Sequence, residues 1–311
     1  MTNLDDIFQE DWDENHRSGF VAVVGRPNVG KSTLINCILG QKIAIVTNKP
    51  QTTRKQQLGI YTSPKGQILF TDTPGIHKPH HKLGEYMVDV AEQAIKDADL
   101  ILWVLDASEE PQISDKYIAE SLIKLRGNTP IILALNQVDK VGNDISLEEH
   151  LALIDHVNAI QTSALENFNI TSLIDQIISQ LPLGPRYYPA DQLSEVNMRF
   201  IASEVIREKI ILQTEQEIPH SVAVEIEEYK ERSEDMTYIS GIIYVERDSQ
   251  KGIIIGKGGE MIKRLGKEAR LELAEILGTR VYLDLRVKVL KNWRSDDKLM
   301  RRLGYRLPKK D

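Results

Sequence analysis

The sequence predicts an α/β unit built on a mostly parallel sheet with helices on both faces, followed by a smaller α+β unit. Three observations carry this. Short apolar runs alternate with helical stretches as far as residue 181. A segment rich in proline and glycine then interrupts the chain, Pro182-Leu183-Gly184-Pro185 and Tyr187-Tyr188-Pro189. Proline and glycine cannot continue a helix, and such segments act as semi-rigid spacers. Beyond it the pattern changes to one amphipathic helix followed by strands of alternating hydrophobicity. A chain of 311 residues fits two domains of about 150 residues each.

In chain order, residues 1–17 form an acidic tail, and residues 20–25 an apolar strand ending in glycine. Residues 31–40 read as a helix closed by glycine. Residues 68–71, 100–106 and 130–136 are further apolar strands, and each of the last two follows a helical stretch. Residues 159–162 are a weak last strand and 170–181 a last helix. Apolar strands alternating with helices mean a parallel sheet buried on both faces. The division is therefore a first domain over 18–182, a linker over 183–196, and a second domain with a basic tail over 197–308. In the second domain Met198, Ile201, Val205, Ile206 and Ile210 recur at helical spacing. Residues 221–226, 239–245 and 281–289 alternate as strands, and 271–277 lie on a further helix.

Hydrophobic residues make up 41% and charged residues 27%, an ordinary globular composition that excludes disordered and collagen-like classes. No apolar run reaches the roughly 18 residues of a membrane span. The first residues, MTNLDDIFQEDWDEN, are acidic and lack the apolar core of a signal peptide. A single cysteine, Cys37, cannot form an internal disulfide. The expectation is a cytoplasmic protein. The net charge of −7 argues against nucleic acid as a partner for the chain as a whole. Residues 240–311, however, hold 18 Lys and Arg against 10 Asp and Glu, which points to a local polyanion-binding region.

Gly25-Arg26-Pro27-Asn28-Val29-Gly30-Lys31-Ser32, followed by Thr33, fits G-x-x-x-x-G-K-[ST] between a strand and a helix. In that context the backbone N–H groups wrap phosphates and the helix N-terminus adds positive potential. Lys31 should reach the β- and γ-phosphates, and the Ser32 hydroxyl should ligate Mg²⁺. Asp72-Thr73-Pro74-Gly75 follows a strand some 40 residues on, where an Asp faces the nucleotide crevice. Asp72 should hold Mg²⁺ through water, and Gly75 should offer its N–H to the γ-phosphate. Asn136-Gln137-Val138-Asp139 follows the strand at 130–136. A carboxylate at Asp139 can accept from guanine N1–H and N2–H₂ together. Adenine would leave it unpaired, so the pair discriminates strongly. Ser163-Ala164-Leu165 would close over the base, with the Ala164 N–H facing guanine O6.

In this order the motifs resemble those of the translation-factor-related GTPases. G-R-P-N-V-G-K-S, Gln51-Thr52-Thr53-Arg54, D-T-P-G and N-Q-V-D together resemble the Era family of bacterial ribosome-assembly GTPases. The resemblance implies a GTP-hydrolysing switch needing Mg²⁺, with Thr53 rather than Thr52 completing the metal shell in the GTP state. It also implies that Asn28 helps hold a K⁺ ion beside the phosphates, so that Lys31, Asn28, Thr53 and Gly75 carry the catalysis. Two departures stand out. Gln137 occupies the place of a Lys whose stem packs along the base. Ile76 follows D-T-P-G, where Ras-like switches carry a water-orienting Gln.

Gly256-Lys257-Gly258-Gly259 supplies a G-x-x-G loop before a helix. In KH domains this loop clamps about four nucleotides of single-stranded nucleic acid. Lys263, Arg264, Lys267 and Arg270 recur along the following helix. The order helix, strand, strand, G-x-x-G, helix, strand is that of the bacterial, type II, KH domain. The resemblance spans residues 18–308, including the Trp293 to Tyr305 tail. It implies binding to the 3′ end of small-subunit (16S) rRNA, assistance in 30S subunit assembly, and a monomer. As a switch, the nucleotide should alter how the KH unit meets RNA, and RNA should favour the same nucleotide state reciprocally.

Two other readings stay open. The basic C-terminal half could face anionic lipid at the inner membrane instead of RNA. The phosphate loop could serve transfer to a small acceptor, against which the guanine motif argues. His77, His80 and His81 lack the carboxylates or cysteines of a metal site, and Cys37 and Trp103 read as packing residues. Trp293 and Arg294 are left between base stacking and packing of the tail.

Overall fold

The computed structural model describes residues 14–42, 44–47, 49, 52–75, 79, 81–141, 147–190, 192, 197–233 and 235–306. Most of the acidic tail, together with Gln51, Ile76, His77 and His80, lies outside the described residues. The chain divides into two units. The first comprises Met1–Ala44, Thr53–Lys78 and Met87–Glu195; the second comprises Ile45–Thr52, Pro79–Tyr86 and Val196–Asp311.

The first unit carries a six-stranded sheet. Its strands are β1 (Arg17–Val24), β2 (Gln57–Ser63), β3 (Gly66–Asp72), β4 (Leu100–Asp106), β5 (Ile131–Asn136) and β6 (Asn158–Gln161), in the order β2-β3-β1-β4-β5-β6. All neighbours are parallel except β2 and β3. The helices are α1 (Lys31–Leu39), α2 (Lys82–Lys96, which belongs to this unit from Met87 onward), α3 (Ile113–Leu125), a short α4 (Glu148–Leu151) and α5 (Ile170–Gln180). Ala22, Val24, Ile101, Trp103, Leu133 and Leu135 alternate along three central strands to form one side of the core, closed by Ala91, Ile95, Ile118 and Leu122 from α2 and α3. The fold class agrees with the sequence. Strand β2 has no counterpart in the sequence pattern: it is an edge strand, QLGIYTS, with half-buried polar positions and little apolar signal. It pairs antiparallel with β3 across the turn at Pro64 and Lys65, closed by Ser63 Oγ donating to the Gly66 carbonyl at 3.1 Å.

Register decides where the chemistry sits. Val23 of β1 is level with Asp72 of β3, and Asp106 of β4 is level with Asn136 of β5. The carboxyl ends of the parallel strands therefore share one rim, the usual place for a ligand in an open α/β sheet.

The second unit contains α6 (Met198–Gln213), α7 (Ile218–Ser221), β7 (Ala223–Ser233), β8 (Met236–Val245), α8 (Asp248–Ile255), α9 (Glu260–Leu277), β9 (Arg280–Val289) and α10 (Asp297–Arg302). The sheet order is β7-β8-β9, antiparallel then parallel. Ile201, Val205, Ile206, Ile210, Ile254, Leu265, Ala269 and Leu273 from the helices pack on Ile239, Ile243, Val281 and Val287 of the sheet. The apolar run before the glycine loop is the helix α8, whose start is capped by Gln250 Oε1 accepting from the Glu246 and Arg247 N–H groups at 2.9 and 3.1 Å. Trp293 is fully buried: its Nε1 donates to the Ser221 carbonyl at 2.8 Å and its ring stacks on Tyr305 at 5.6 Å. Packing of the tail, not base stacking, is its role.

Candidate nucleotide and RNA sites

Residues 25–30 turn from β1 into α1, and their backbone is unusual where the motif demands it. Asn28 and Gly30 both have positive φ, 69° and 95°. A Cβ at Gly30 would collide with Asn136 Nδ2, so only glycine lets the guanine motif close onto the loop. Asn136 fills that space usefully. Its Nδ2 donates to the Val29 carbonyl at 2.9 Å, while its Oδ1 accepts from Thr162 Oγ1 at 3.3 Å and the Ala164 N–H at 3.1 Å. One buried side chain thus joins three loops. The Ala164 N–H assigned to guanine O6 donates to Asn136 here, and Leu165 is exposed.

Lys31 is buried beneath the loop, its Nζ donating to the Gly25 and Arg26 carbonyls at 2.9 and 3.0 Å. Burial pushes its pKa down to about 8, with Asp72 opposing and Arg26 adding to the effect. Beside it three oxygens converge. Ser32 Oγ donates to Asp72 Oδ2 at 3.0 Å, Thr53 Oγ1 donates to the same oxygen at 3.2 Å, and the two hydroxyls lie 3.3 Å apart. Asp72 is buried, which raises its pKa against the opposing Lys31 charge and the two hydroxyl donors. Its Oδ1 is buried with no hydrogen-bond partner among the described residues. An orphaned carboxylate oxygen beside two hydroxyls fits a divalent cation, met directly or through water. Thr52 is not part of this group, because its Oγ1 donates to the Lys49 carbonyl at 2.6 Å.

The remaining members fall around the same rim. Thr73 Oγ1 donates to the Val23 carbonyl at 2.7 Å, which seats the start of D-T-P-G on β1, and Gly75 abuts Pro27. Thr33 is half-buried one residue beyond Ser32. Asp139 is exposed at the tip of its loop and accepts from Ser163 Oγ, which also accepts from the Glu166 N–H at 3.1 Å. Arg26 turns away to Asp115 Oδ2 at 3.2 Å, Asp106 Oδ2 at 3.5 Å and Glu109, so it contributes only its backbone to the loop.

In the second unit, α8 ends at Gly256 with φ 73°, and a single 3₁₀ turn, Lys257–Gly259, leads into α9. A Cβ at Gly256 would lie 2.6 Å from Met261 Cβ, so the sharp turn between the helices needs glycine. Lys257, Lys263, Lys267 and Arg270 are exposed, as is Arg264, whose Nε donates to Gln213 Oε1 at 2.7 Å. The loop and the basic face of α9 are therefore contiguous and open to solvent.

Residues 20–137 match the family model of the 50S ribosome-binding GTPases, and residues 217–294 match the KH domain. Among solved structures, Era from Aquifex aeolicus, as a single tyrosine-to-alanine variant bound to GDP and tetrafluoroaluminate, is 40% identical with a TM-score of 0.87. The match covers 94% of this chain and 100% of that one. Era in complex with MgGDPNP and nucleotides 1506–1542 of 16S ribosomal RNA is 41% identical, with the same TM-score and coverage. This chain belongs to the Era family.

Against the Era-family pattern, the Gln137 departure has a structural partner. Gln137 sits at φ 66° and its Nε2 donates to the Asn28 carbonyl at 3.0 Å. Ile76 is outside the described residues. Two supporting residues escaped the sequence analysis. Thr162 and Asp115 act across long sequence separations, on Asn136 and Arg26, and carry no local motif. Cys37 is half-buried, its thiol donates to Asn167 Oδ1 at 3.4 Å, and burial raises its pKa, which leaves it a poor nucleophile. His81 accepts the Gly84 N–H at 2.9 Å, and no metal-binding cluster is present among the described residues.

Proposed function

We propose that this protein hydrolyses GTP to GDP and phosphate, and that its nucleotide state governs binding to the 3′ end of 16S rRNA during 30S subunit assembly. The observation that carries the reading is the convergence of the Ser32 and Thr53 hydroxyls on Asp72 Oδ2, with Asp72 Oδ1 left without a partner among the described residues, beside the buried Lys31 and on the rim that also bears Asp139. The working division is a nucleotide domain over 18–182 and an RNA-binding domain over 197–308. The partners expected are GTP, GDP and rRNA, the site of action is the cytoplasm, and the protein is expected to act as a monomer.

Ser32, Thr53 and Asp72 would hold Mg²⁺, which supplies neutralisation of charge on the β- and γ-phosphates. The chain itself supplies positioning. The backbone of 25–30 surrounds the phosphates, and Lys31 brings a desolvated ammonium to them. Asp139 selects guanine by accepting its two adjacent N–H donors. With no Gln after Gly75, orienting the attacking water falls to backbone groups, an ion or another residue; Asn28 would help hold a K⁺ ion, which would add positive charge beside the phosphates. Hydrolysis that runs no faster in K⁺ than in Na⁺, with or without Asn28→Ala, would remove the potassium step alone.

The decisive experiment is ultraviolet crosslinking of the full chain to total bacterial RNA, with a non-hydrolysable GTP analogue and again with GDP. Enrichment of the 16S 3′ end, stronger with the analogue, is expected. Equal recovery in both states would remove the switch, and no enrichment in either would remove the ribosomal role while leaving the GTPase.

A further inference from the structure

The sheet of the second unit packs its core helices on one face. On the opposite face Ile242 and Tyr244 are buried, with Arg302 of α10 donating to the Tyr244 hydroxyl, and the other end carries a compact group of aromatic and basic residues. Strand alternation sends Ile239, Ile243, Val281 and Val287 into the core, so Tyr238, Arg280 and Tyr282 point the other way. The parallel register of β8 and β9 sets Tyr238 level with Tyr282, and β7 sets Lys230 level with Tyr238. The two rings stack, with centroids 5.7 Å apart and planes 22° from parallel. The Arg232 guanidinium lies 4.2 Å from the Tyr238 ring centre. Tyr282 is 60% exposed, and Lys230, Arg232 and Arg280 are exposed around the pair.

A tyrosine pair serving stability alone would gain by burying both rings. Here the outer ring meets water, in a frame of three cations. Two of the nearby carboxylates are engaged: Glu228 pairs with Lys230, and Asp284 lies 3.9 Å from Arg286 Nε. Lys230, followed by Arg232 and Arg199, holds the Glu228 carboxyl below its usual range, a sign of the positive local field. An exposed aromatic stacked on a half-buried one of the adjacent strand, with an Arg alongside, presents a π-face to bases and positive charge to phosphates.

We infer that Tyr238, Tyr282 and Arg232, flanked by Lys230 and Arg280, form a second RNA-contact surface that stacks unpaired bases, on the sheet face opposite the core helices. The inference rests on the RNA-binding reading above. It assigns to the sheet what the G-x-x-G loop, set between helices α8 and α9, does not provide.

The test uses the full chain and fluorescein-labelled unpaired RNA of mixed sequence in two lengths. One is about four nucleotides, enough for the loop; the other is about 16, enough to occupy further sites. Tyr282→Ala should weaken binding of the longer RNA about tenfold and leave the shorter unchanged, while Tyr282→Phe should bind both like the parent. Arg232→Ala should reduce the salt dependence on the longer RNA by about one counterion. Gly258→Asp, which places a negative charge in the loop, should weaken both lengths. Crosslinks of the longer RNA should map to peptides bearing Tyr238 or Tyr282, a readout independent of any variant. Parent-like binding by Tyr282→Ala alongside a loss in Gly258→Asp overturns the sheet surface and leaves RNA binding intact. No binding by the parent defeats the RNA-binding reading itself. If Tyr282→Ala lowers only association with phosphatidylcholine–phosphatidylglycerol vesicles, the face meets lipid and the proposal is wrong.

Discussion

Gln137 Nε2 donates to the Asn28 carbonyl at 3.0 Å, so the loop that reads the base is tied to the loop that wraps the phosphates. The residue that departs from the family pattern is thereby a structural link between the two halves of the nucleotide site. Both partners hold positive φ, 66° and 69°, an arrangement that needs support from its surroundings. Removing the donor with Gln137→Ala should cost about 1 kcal/mol, near fivefold in GTP and GDP affinity. Gln137→Lys keeps a donor and restores an alkyl stem along the base plane, so it should bind at least as tightly as the parent. Titration with a fluorescent GDP analogue checks both, and an unchanged affinity in Gln137→Ala would show that the link is energetically idle.

Base selectivity should reside in Asp139. It lies exposed at the loop tip with Ser163 Oγ donating to it, so one carboxylate oxygen is already oriented. Asp139→Asn replaces an acceptor with a donor. It should lower GTP affinity at least about a hundredfold and raise affinity for xanthosine triphosphate, whose C2 carbonyl matches the new amide. Competition between the two triphosphates measures this directly. Asp139→Asn that still prefers GTP would place the base elsewhere.

The motif residues were legible because their chemistry forces their identity. Gly30 must admit Asn136, whose Nδ2 fills the space a Cβ would take, and Gly256 must admit Met261. Thr53 was separable from Thr52 only by family resemblance, and the hydrogen bonds to Ser32 and Asp72 give that choice a geometric basis. What the sequence concealed has a common cause. Strand β2 is an edge with polar half-buried positions, so it lacks the apolar run that marked its neighbours. Asp115 holds Arg26 across 89 residues and Thr162 holds Asn136 across 26, contacts that exist only once the sheet is assembled. Trp293 reads the same in sequence whether it meets a base or the Ser221 carbonyl.

Asp72 should control the metal more than the fold. Its Oδ2 already accepts two hydroxyls, and its buried Oδ1 has no hydrogen-bond partner among the described residues. Asp72→Asn keeps the shape while removing the charge that attracts a cation. The Mg²⁺ concentration giving half-maximal GTP hydrolysis should rise about 10- to 100-fold, with nucleotide binding in the absence of metal much less affected. Equal loss with and without Mg²⁺ would mean that the substitution damages the site generally.

Lys31 should give the nucleotide site a distinctive alkaline pH dependence. Burial holds its pKa at about 8 in the free protein, against 10.5 ordinarily. Phosphate oxygens favour the ammonium, so binding raises that pKa and takes up a proton once the free lysine is neutral. GTP affinity should be level below pH 8 and fall about tenfold per unit above it, until the pKa of the bound form is reached. Stability of the free protein should move the other way. The unfolded chain holds the Lys31 proton up to 10.5 and the folded chain only to about 8, so this group makes stability rise with pH across that window. Its destabilising effect is fully present below pH 8 and gone above 10.5. Lys31→Met removes both trends. Denaturant unfolding of parent and variant from pH 7 to 10.5 isolates the contribution as the difference between two curves, whatever other groups titrate there. The stability advantage of Lys31→Met should shrink steadily over the range. A constant difference would mean that the buried ammonium titrates normally and is better solvated than its two carbonyl partners imply.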